Sequence, residues 1–365
     1  MIRVLHVITG MGSGGAESML MNWYRQIDKT KVQFDFLLRS RENIYANEIE
    51  KMGGRVYYTP EFPKRYFSNL IKTYKFFKNH HNEYSIIHVH ANALIYTSVL
   101  LIAKHFGIKC RIMHSHSTST KSKLFLPIHK INKLRIKKLA NHFFACSKEA
   151  GQWCFNEKFT VINNGIDTEK FKYSQVDREN IRQEFDIDLT AKVYCHIGRF
   201  LEVKNHGFLL EVFEKIYKED NNSVLILVGT GPLKEKYENI VKNMPCCNNV
   251  IFAGVRPDVY KILSAADVLI FPSFYVGVSV TVMEAQANGL YSVVSDVLPN
   301  EVKLTDNLVF LSLDDGVDAW QSAAKSRPQA DRLQCNLMVK NSDFKIEKVT
   351  DYLDDFYVKF YKEIL

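Results

Sequence analysis

The stretch Arg3-Val4-Leu5-His6-Val7-Ile8-Thr9-Gly10-Met11-Gly12-Ser13-Gly14-Gly15-Ala16-Glu17 begins as a short apolar run, passes through a glycine-dense turn and enters a helical pattern. Strand, glycine turn and helix in that order make the first half of a βαβ unit. The pattern recurs. Strand-like runs fall at 3–8, 34–38, 55–58, 86–89, 111–114, 143–145 and 160–162, then at 193–197, 224–228, 250–252, 268–271, 291–295 and 308–311, with helical patterns between them. Such alternation builds parallel sheets covered by helices, so the expected fold is α/β with two Rossmann-like, doubly wound domains. The turn-rich Asn163-Asn164-Gly165-Ile166-Asp167 separates the halves. The reading gives a first domain at 1–165, an interdomain linker at 166–191 and a second domain at 192–344. A terminal helix follows at 345–365, with Val349, Tyr352, Leu353, Phe356, Phe360 and Ile364 at helical spacing. Ligands of open α/β sheets lie at the carboxyl ends of the strands, and two facing domains are expected to put the chemistry in a cleft.

Composition narrows the class. A chain of 365 residues, 46% hydrophobic and 24% charged, suffices for two cores. Its seven cysteines are odd in number and lack Cys-x-x-Cys or zinc-ligand spacing, which fits a reducing compartment. Met1 to Gly10 is too short for a secretory hydrophobic region, and the most apolar helix-like stretch, Ala91 to Ala103, falls short of the roughly 20 residues that span a bilayer. A cytoplasmic location is expected. The net charge of +8 is concentrated, because residues 84 to 148 hold eleven Lys or Arg and no Asp or Glu. Lys121, Lys123, Lys130, Lys133, Arg135, Lys137 and Lys138 interleave with Leu124, Phe125, Leu126, Ile128, Ile131, Leu134 and Ile136. This reads as a basic amphipathic helix suited to anionic lipid, and Lys130, Lys133, Arg135, Lys137 and Lys138 are the expected contacts at the inner face of the cell membrane. The competing reading turns the apolar stripe into the domain's own core. Nucleic acid ranks behind both, since Phe125 is the one aromatic of the run.

Gly10, Gly12 and Gly15 satisfy the dinucleotide pattern Gly-x-Gly-x-x-Gly, but the acid expected after the second strand is missing: Asp35 lies inside the strand, which ends in Leu37-Leu38-Arg39. The NAD-dependent oxidoreductase reading weakens accordingly. What survives is phosphate approach at Gly14 and Gly15, ahead of a helix whose amino end favours anions. In the second half, Gly198-Arg199-Phe200-Leu201-Glu202-Val203-Lys204 follows a strand and places two cations in one loop, suited to a departing diphosphate. Gly229-Thr230-Gly231-Pro232 and Gly254-Val255-Arg256-Pro257 follow later strands, and Gly231 and Arg256 are candidates to line a nucleotide pocket. The pairs His88/His90 and His114/His116 suggest zinc, but no carboxylate lies between 84 and 148, and a metal is not expected. Asp186-Ile187-Asp188 reads as a helix cap.

The most specific segment is Phe271-Pro272-Ser273-Phe274-Tyr275-Val276-Gly277-Val278-Ser279-Val280-Thr281-Val282-Met283-Glu284-Ala285-Gln286-Ala287-Asn288-Gly289. It resembles the nucleotide-sugar motif of glycosyltransferase family four, in which Phe-Pro-Ser precedes two glutamates with seven residues between them. The resemblance spans nearly the whole chain, through Gly14-Gly15, His114-Ser115-His116, Asn164-Gly165-Ile166-Asp167, Gly198-Arg199 with Lys204, and Gly229-Thr230-Gly231-Pro232. It is strongest to the branch that makes bacterial exopolysaccharide and capsule. The resemblance implies the GT-B fold, with the terminal helix crossing back to the first domain. It also implies a retaining, metal-independent transfer without cofactor, from a nucleotide diphosphate sugar, with UDP preferred, to a lipid-linked or glycan acceptor. By the same resemblance Glu284 binds the ribose hydroxyls, Arg199 and Lys204 hold the diphosphate with helix N–H groups near Val278, Ser279 and Val280, and His116 contacts the donor. Val276 stands where the first glutamate is expected, so a carboxylate facing the donor sugar is absent. A catalytically impaired nucleotide-sugar-binding protein and a sugar-nucleotide epimerase are the alternatives that share this fold.

Overall fold

The computed structural model describes every residue except Ser13, Ser119, Lys121, Val276, Gly277, Arg327 and Leu365. The chain forms two compact units, Met1–Gly165 with Ile346–Leu365, and Ile166–Lys345.

The first unit runs β1 (Ile2–Ile8), α1 (Gly15–Gln26), β2 (Val32–Leu38), α2 (Ala46–Lys51), β3 (Val56–Tyr58), α3 (Tyr66–His80), β4 (Ile86–Ala91), α4 (Ser98–His105), β5 (Cys110–Ser115), α5 (Leu126–Arg135), β6 (His142–Ala145), α6 (Lys148–Cys154) and β7 (Thr160–Val161). Its seven strands are parallel in the order β3-β2-β1-β4-β5-β6-β7. Alternation along β1 splits the core: Ile2, Val4 and Ile8 pack with Leu20 and Trp23 on one face, while Leu5 and Val7 pack with Leu100 and Phe77 on the other. Both faces are buried, which explains why the strands read as continuous apolar runs. Asp35, the carboxylate inside β2, is fully engaged: it accepts from Arg3 Nε and Nη2, both at 2.6 Å, from Tyr84 Oη at 2.8 Å and from the Arg55 amide at 2.8 Å. It clamps the sheet from within and leaves no acceptor for a ribose.

The second unit runs α7 (Gln175–Glu184), β8 (Lys192–Ile197), α8 (His206–Glu219), β9 (Ser223–Val228), α9 (Lys234–Val241), β10 (Val250–Gly254), α10 (Val259–Ala265), β11 (Val268–Phe271), α11 (Val280–Asn288), β12 (Tyr291–Ser295), β13 (Leu308–Leu311), α12 (Gly316–Lys325) and α13 (Arg332–Lys340). Its six strands are parallel in the order β10-β9-β8-β11-β12-β13. Residues 166–191, read above as a linker, lie inside this unit. Arg178 and Arg182 of α7 pair with Asp267 at 2.8 and 3.0 Å, and Arg182 also donates to the carbonyls of Asp188, Leu189 and Ala191. Asp186 adopts a left-handed conformation just past α7, and Asp188 accepts from the Thr190 amide at 2.6 Å, so the Asp-x-Asp triplet closes a turn.

The chain passes between units at Gly165, whose φ of 55° and close approach to Ile346, 2.6 Å from an added Cβ to Cδ1, favour glycine. The terminal helix α14 (Ile346–Ile364) then packs on the first unit through Val349, Leu353 and Tyr357, and Asp354 accepts from the Asp28 amide at 3.1 Å.

Candidate active site

In the second unit strand order reverses between β8 and β11, the switch point at which open α/β sheets bind ligands. The loop after β8 sits there. Gly198 donates to Val228 O at 2.9 Å, Phe200 to Thr230 O at 3.1 Å, and Gly229 to Gly254 O at 2.7 Å, so the turns after β8, β9 and β10 are stitched together. Gly229, at a φ of 136°, has no room for a side chain because a Cβ would collide with Gly198 O; a Cβ on Gly231 would lie 2.6 Å from Phe200 O. These glycines serve close loop packing. Phe274 N donates to Val203 O at 2.9 Å and thereby ties the stretch after β11 to the same loop.

Lys204 lies at the centre of this arrangement. Its ammonium stands 4.3 Å from the centroid of Phe271, the last residue of β11, and its stem lies 3.5 Å from the Cβ position of Gly198. It is half-buried and has no carboxylate or hydrogen-bond partner among the described residues; burial holds its pKa down to about 8. Beneath it, buried His196 bonds Ile270 O at 2.8 Å through Nδ1 and keeps an unpartnered Nε2. Arg199, exposed on the same loop, is likewise without a partner among the described residues. The structure thus brings Gly198 and Lys204 together beside Phe271, packs Gly231 against Phe200 of the same loop and leaves Arg199 exposed.

Arg256 is different. It donates to both oxygens of Asp258 at 2.8 Å and to Glu184, so its guanidinium fork is spent on carboxylates of its own unit. It fastens the turn after β10 to α7, through one local carboxylate, Asp258, and one far back in the chain, Glu184.

Ser279 caps α11, its Oγ accepting from Val282 N at 3.4 Å, with Val278 half-buried before it and Val280 buried as the first helical residue. Glu284 lies in the second turn of α11 and is half-buried, so partnership with the helix dipole in the first turn is not its role. Val276 lies outside the described residues.

In the first unit the switch point falls between β1 and β4. Gly14 stands as the N-cap of α1 without a side-chain bond, Gly15 opens the helix, and the carboxylate of Glu17 sits over Gly14 while that of Glu42 occupies the space over Gly12. These acids already face the positive helix end, which makes the loop a poorer anion cradle than its glycines suggest. His116 follows β5 and is part of a larger group: His6, His88, His90 and His114 are buried on the same sheet face, and His90 Nδ1 meets His116 Nε2 at 2.8 Å. The sequence reading missed His6. It is a single histidine in an apolar strand, and only the adjacency of β1 and β4, which pairs His6 with His88, reveals it. The ring nitrogens of His6, His88 and His90, and those of His90, His114 and His116, lie within 4.8 Å of one another. That spacing suits a three-imidazole metal centre, although several of these nitrogens, His6 Nδ1 with His90 Nε2, His90 Nδ1 with His116 Nε2 and His88 Nε2 with His114 Nδ1, already bond one another.

The basic segment has the opposite orientation to a core helix. His129 is the buried residue of α5, bonded to Leu94 N at 3.1 Å and Trp153 O at 3.2 Å, and Asn132 and Lys133 donate to Leu94 O and Gln152 O. This polar seam docks the helix and leaves Leu124, Ile128, Ile131 and Leu134 exposed, Leu124 at 84% and Leu134 at 69%. Lys130, Arg135, Lys137 and Lys138 are exposed around them. Among the described residues no helix is long and apolar enough to cross a membrane.

Two doubly wound sheets in one chain are an architecture that glycosyltransferases share, and here the second sheet carries at its switch point a lysine without a counter-ion among the described residues. Residues 13–170 match the family described as Glycosyltransferase Family 4, and residues 177–320 match Glycosyl transferases group 1. The chain is 32% identical over 344 residues to the putative glycosyltransferase EpsF of Bacillus subtilis, covering 90% of this chain and 89% of that protein. It is 26% identical over 355 residues to the UDP-Gal:alpha-D-GlcNAc-diphosphoundecaprenol alpha-1,3-galactosyltransferase of Escherichia coli, covering 89% of each. Its fold superposes on the Anabaena HepE structure with UDP-glucose at a TM-score of 0.73, with 16% identity and full coverage of both chains. The chain belongs to glycosyltransferase family four and has the GT-B fold.

Proposed function

We propose that this glycosyltransferase moves a sugar from a nucleotide diphosphate donor, a UDP-sugar, to a lipid-linked glycan acceptor at an anionic membrane surface during surface polysaccharide synthesis. The observation that carries the donor half is Lys204, a half-buried ammonium at the β8/β11 switch point with no anion of its own among the described residues. A buried cation without a partner is costly unless a ligand supplies the charge. With Arg199 it would neutralise the diphosphate as the bond from the anomeric carbon to the phosphate oxygen breaks, which is electrostatic stabilisation by preorganised groups. The acceptor oxygen attacks on the face the diphosphate leaves, and its proton passes to the departing phosphate oxygen, so configuration is retained without a metal or an enzyme nucleophile. Support for UDP comes from the HepE complex, and support for a diphosphoundecaprenol-linked acceptor from the named activity of the Escherichia coli relative. Support for peripheral attachment at the inner membrane face comes from the exposed apolar stripe of α5 within its basic surround.

A thermal-shift panel of UDP-, GDP- and dTDP-sugars tests this: a donor at 100 times its Kd stabilises by about 2.7 kcal/mol. A UDP-sugar should give the largest shift, and Lys204→Ala should cut it to about 0.4–1.4 kcal/mol. Stabilisation by NADH instead would overturn the reading. A donor that binds but is not transferred would favour the impaired-binding alternative. Val276→Glu, assayed with hexose, N-acetylhexosamine and deoxyhexose donors, then tests whether the missing carboxylate sets donor choice; a flat response removes position 276 from the sugar site.

A further inference from the structure

Five imidazoles share one face of the first sheet, and their hydrogen bonds form two rows. In one row His6 Nδ1 meets His90 Nε2 at 3.0 Å, and His90 Nδ1 meets His116 Nε2 at 2.8 Å. In the other Tyr357 Oη meets His88 Nδ1 at 2.7 Å, and His88 Nε2 meets His114 Nδ1 at 3.0 Å. The rows stack, His88 on His90 at 4.4 Å between centroids and His114 on His116 at 4.3 Å. Register makes this possible. His6 pairs with His88 across β1 and β4, His90 pairs with His114 across β4 and β5, and the period of two keeps His88 with His90 and His114 with His116 on one face.

A neutral imidazole carries one N–H and one lone pair, so a row of three has two possible polarities. We infer that the row His6–His90–His116 locks His116 as the Nδ1–H tautomer with its Nε2 filled, so that His116 meets substrate as a hydrogen-bond donor and not as a base. His6 and His90 are then positioning residues. The inference rests on the reading that places His116 at the donor.

The polarity follows from the blind end of the row. His6 Nε2 is buried without a partner among the described residues, and the rings of Phe34 and Phe36 stand beside it, with centroids 4.0 and 6.0 Å from that of His6. If each ring donated through Nε2, a buried N–H would be orphaned there. If each donates through Nδ1, only a lone pair is left, and native interiors tolerate unfilled acceptors better than orphaned donors. Burial also keeps the row uncharged, pushing His6 and His116 down to about 3 and His90 well below its ordinary value. Only neighbouring histidines add to this, and no carboxylate opposes it. The free end of the row is His116 Nδ1, half-buried at the carboxyl end of β5. An N–H there holds a sugar hydroxyl or phosphate oxygen and cannot remove the acceptor's proton, which leaves that proton to the departing diphosphate.

The test uses the full chain labelled with [15N]histidine and long-range 1H–15N correlation spectra at neutral pH, with His116 assigned by its loss in His116→Gln. The expected wild-type signal shows His116 protonated at Nδ1 with a lone pair at Nε2. His90→Gln keeps a side-chain amide donor against Nε2 and should retain that signal, whereas His90→Phe should release His116 to a mixture of tautomers. An Nε2–H form in wild type overturns the inference. So does stoichiometric uptake of Zn2+ by chelator-treated protein, since the metal would claim the nitrogens that define the row. If His90→Phe does not fold, the wild-type spectrum decides alone. Transfer by His116→Gln is measured separately: unchanged turnover would overturn the substrate-facing role while the tautomer result stood.

Discussion

Replacing Lys204 by Met should raise the stability of the second unit and at the same time weaken donor binding. Burial lowers the ammonium from its ordinary 10.5 to about 8. At roughly 1.4 kcal/mol per pH unit this corresponds to an upper bound of about 3 kcal/mol of strain in the empty enzyme. The side chain is only half-buried, and its contact with the Phe271 face returns part of the cost, so about 1–2 kcal/mol is the expected gain on removing the charge. Met keeps an unbranched apolar stem against Phe271. For a unit of about 180 residues this raises Tm by roughly 2–8 °C without ligand. The sign of the pH dependence follows from linkage: the folded pKa is the lower one, so between about 8 and 10.5 the unfolded chain holds more protons and wild-type stability climbs with pH. Lys204→Met should lose that climb. UDP affinity should move the other way. It should drop about ten- to hundredfold in the variant, the worth of a charged hydrogen bond, and in wild type it should decline as pH rises past about 8. Urea denaturation from pH 7 to 10 and calorimetric titration with UDP measure both. A variant less stable than wild type with an unchanged pH slope, or one that binds UDP equally well, would refute the reasoning.

Glu284→Ala should weaken binding of every UDP-sugar about ten- to hundredfold while leaving thermal stability within about 1 kcal/mol; unchanged titration curves would remove it from the ribose. Replacing Lys130, Arg135, Lys137 and Lys138 by Gln should cost up to about 1 kcal/mol each in sedimentation with anionic vesicles, less at high salt. Changing Ile131 and Leu134 to Ser should lower vesicle binding at all salt concentrations, and equal binding to neutral and anionic vesicles would remove the electrostatic component. Asp35→Ala strands Arg3 and Tyr84 inside the first sheet and should destabilise that unit by about 3–5 kcal/mol in urea melts, without changing UDP affinity at low urea.

The central strands were legible because a strand inside a parallel sheet is covered on both faces and must be apolar along its length, a signal that local composition carries; the exposed edge strand β7 was legible from its β-branched Thr160 and Val161. The terminal helix was legible from its 3.6-residue period. The glycine turns announced the carboxyl ends of the strands, and with them the loop of Arg199 and Lys204. That Lys204 lacks a counter-ion among the described residues and that Arg256 also reaches Glu184 was not legible, because both depend on which distant carboxylate the folded chain brings near. The direction of the α5 stripe was equally hidden: basic and apolar residues alternate there, and docking through His129 and Asn132 decided which side met solvent. Sequence by itself determined the element order, the two sheets and the loops that carry charge, since these follow from side-chain period and backbone stereochemistry. Tertiary structure alone decided which charges stay unpaired and that His6 joins His90 and His116 in one row, because strand order and register set contacts between residues that no local pattern connects.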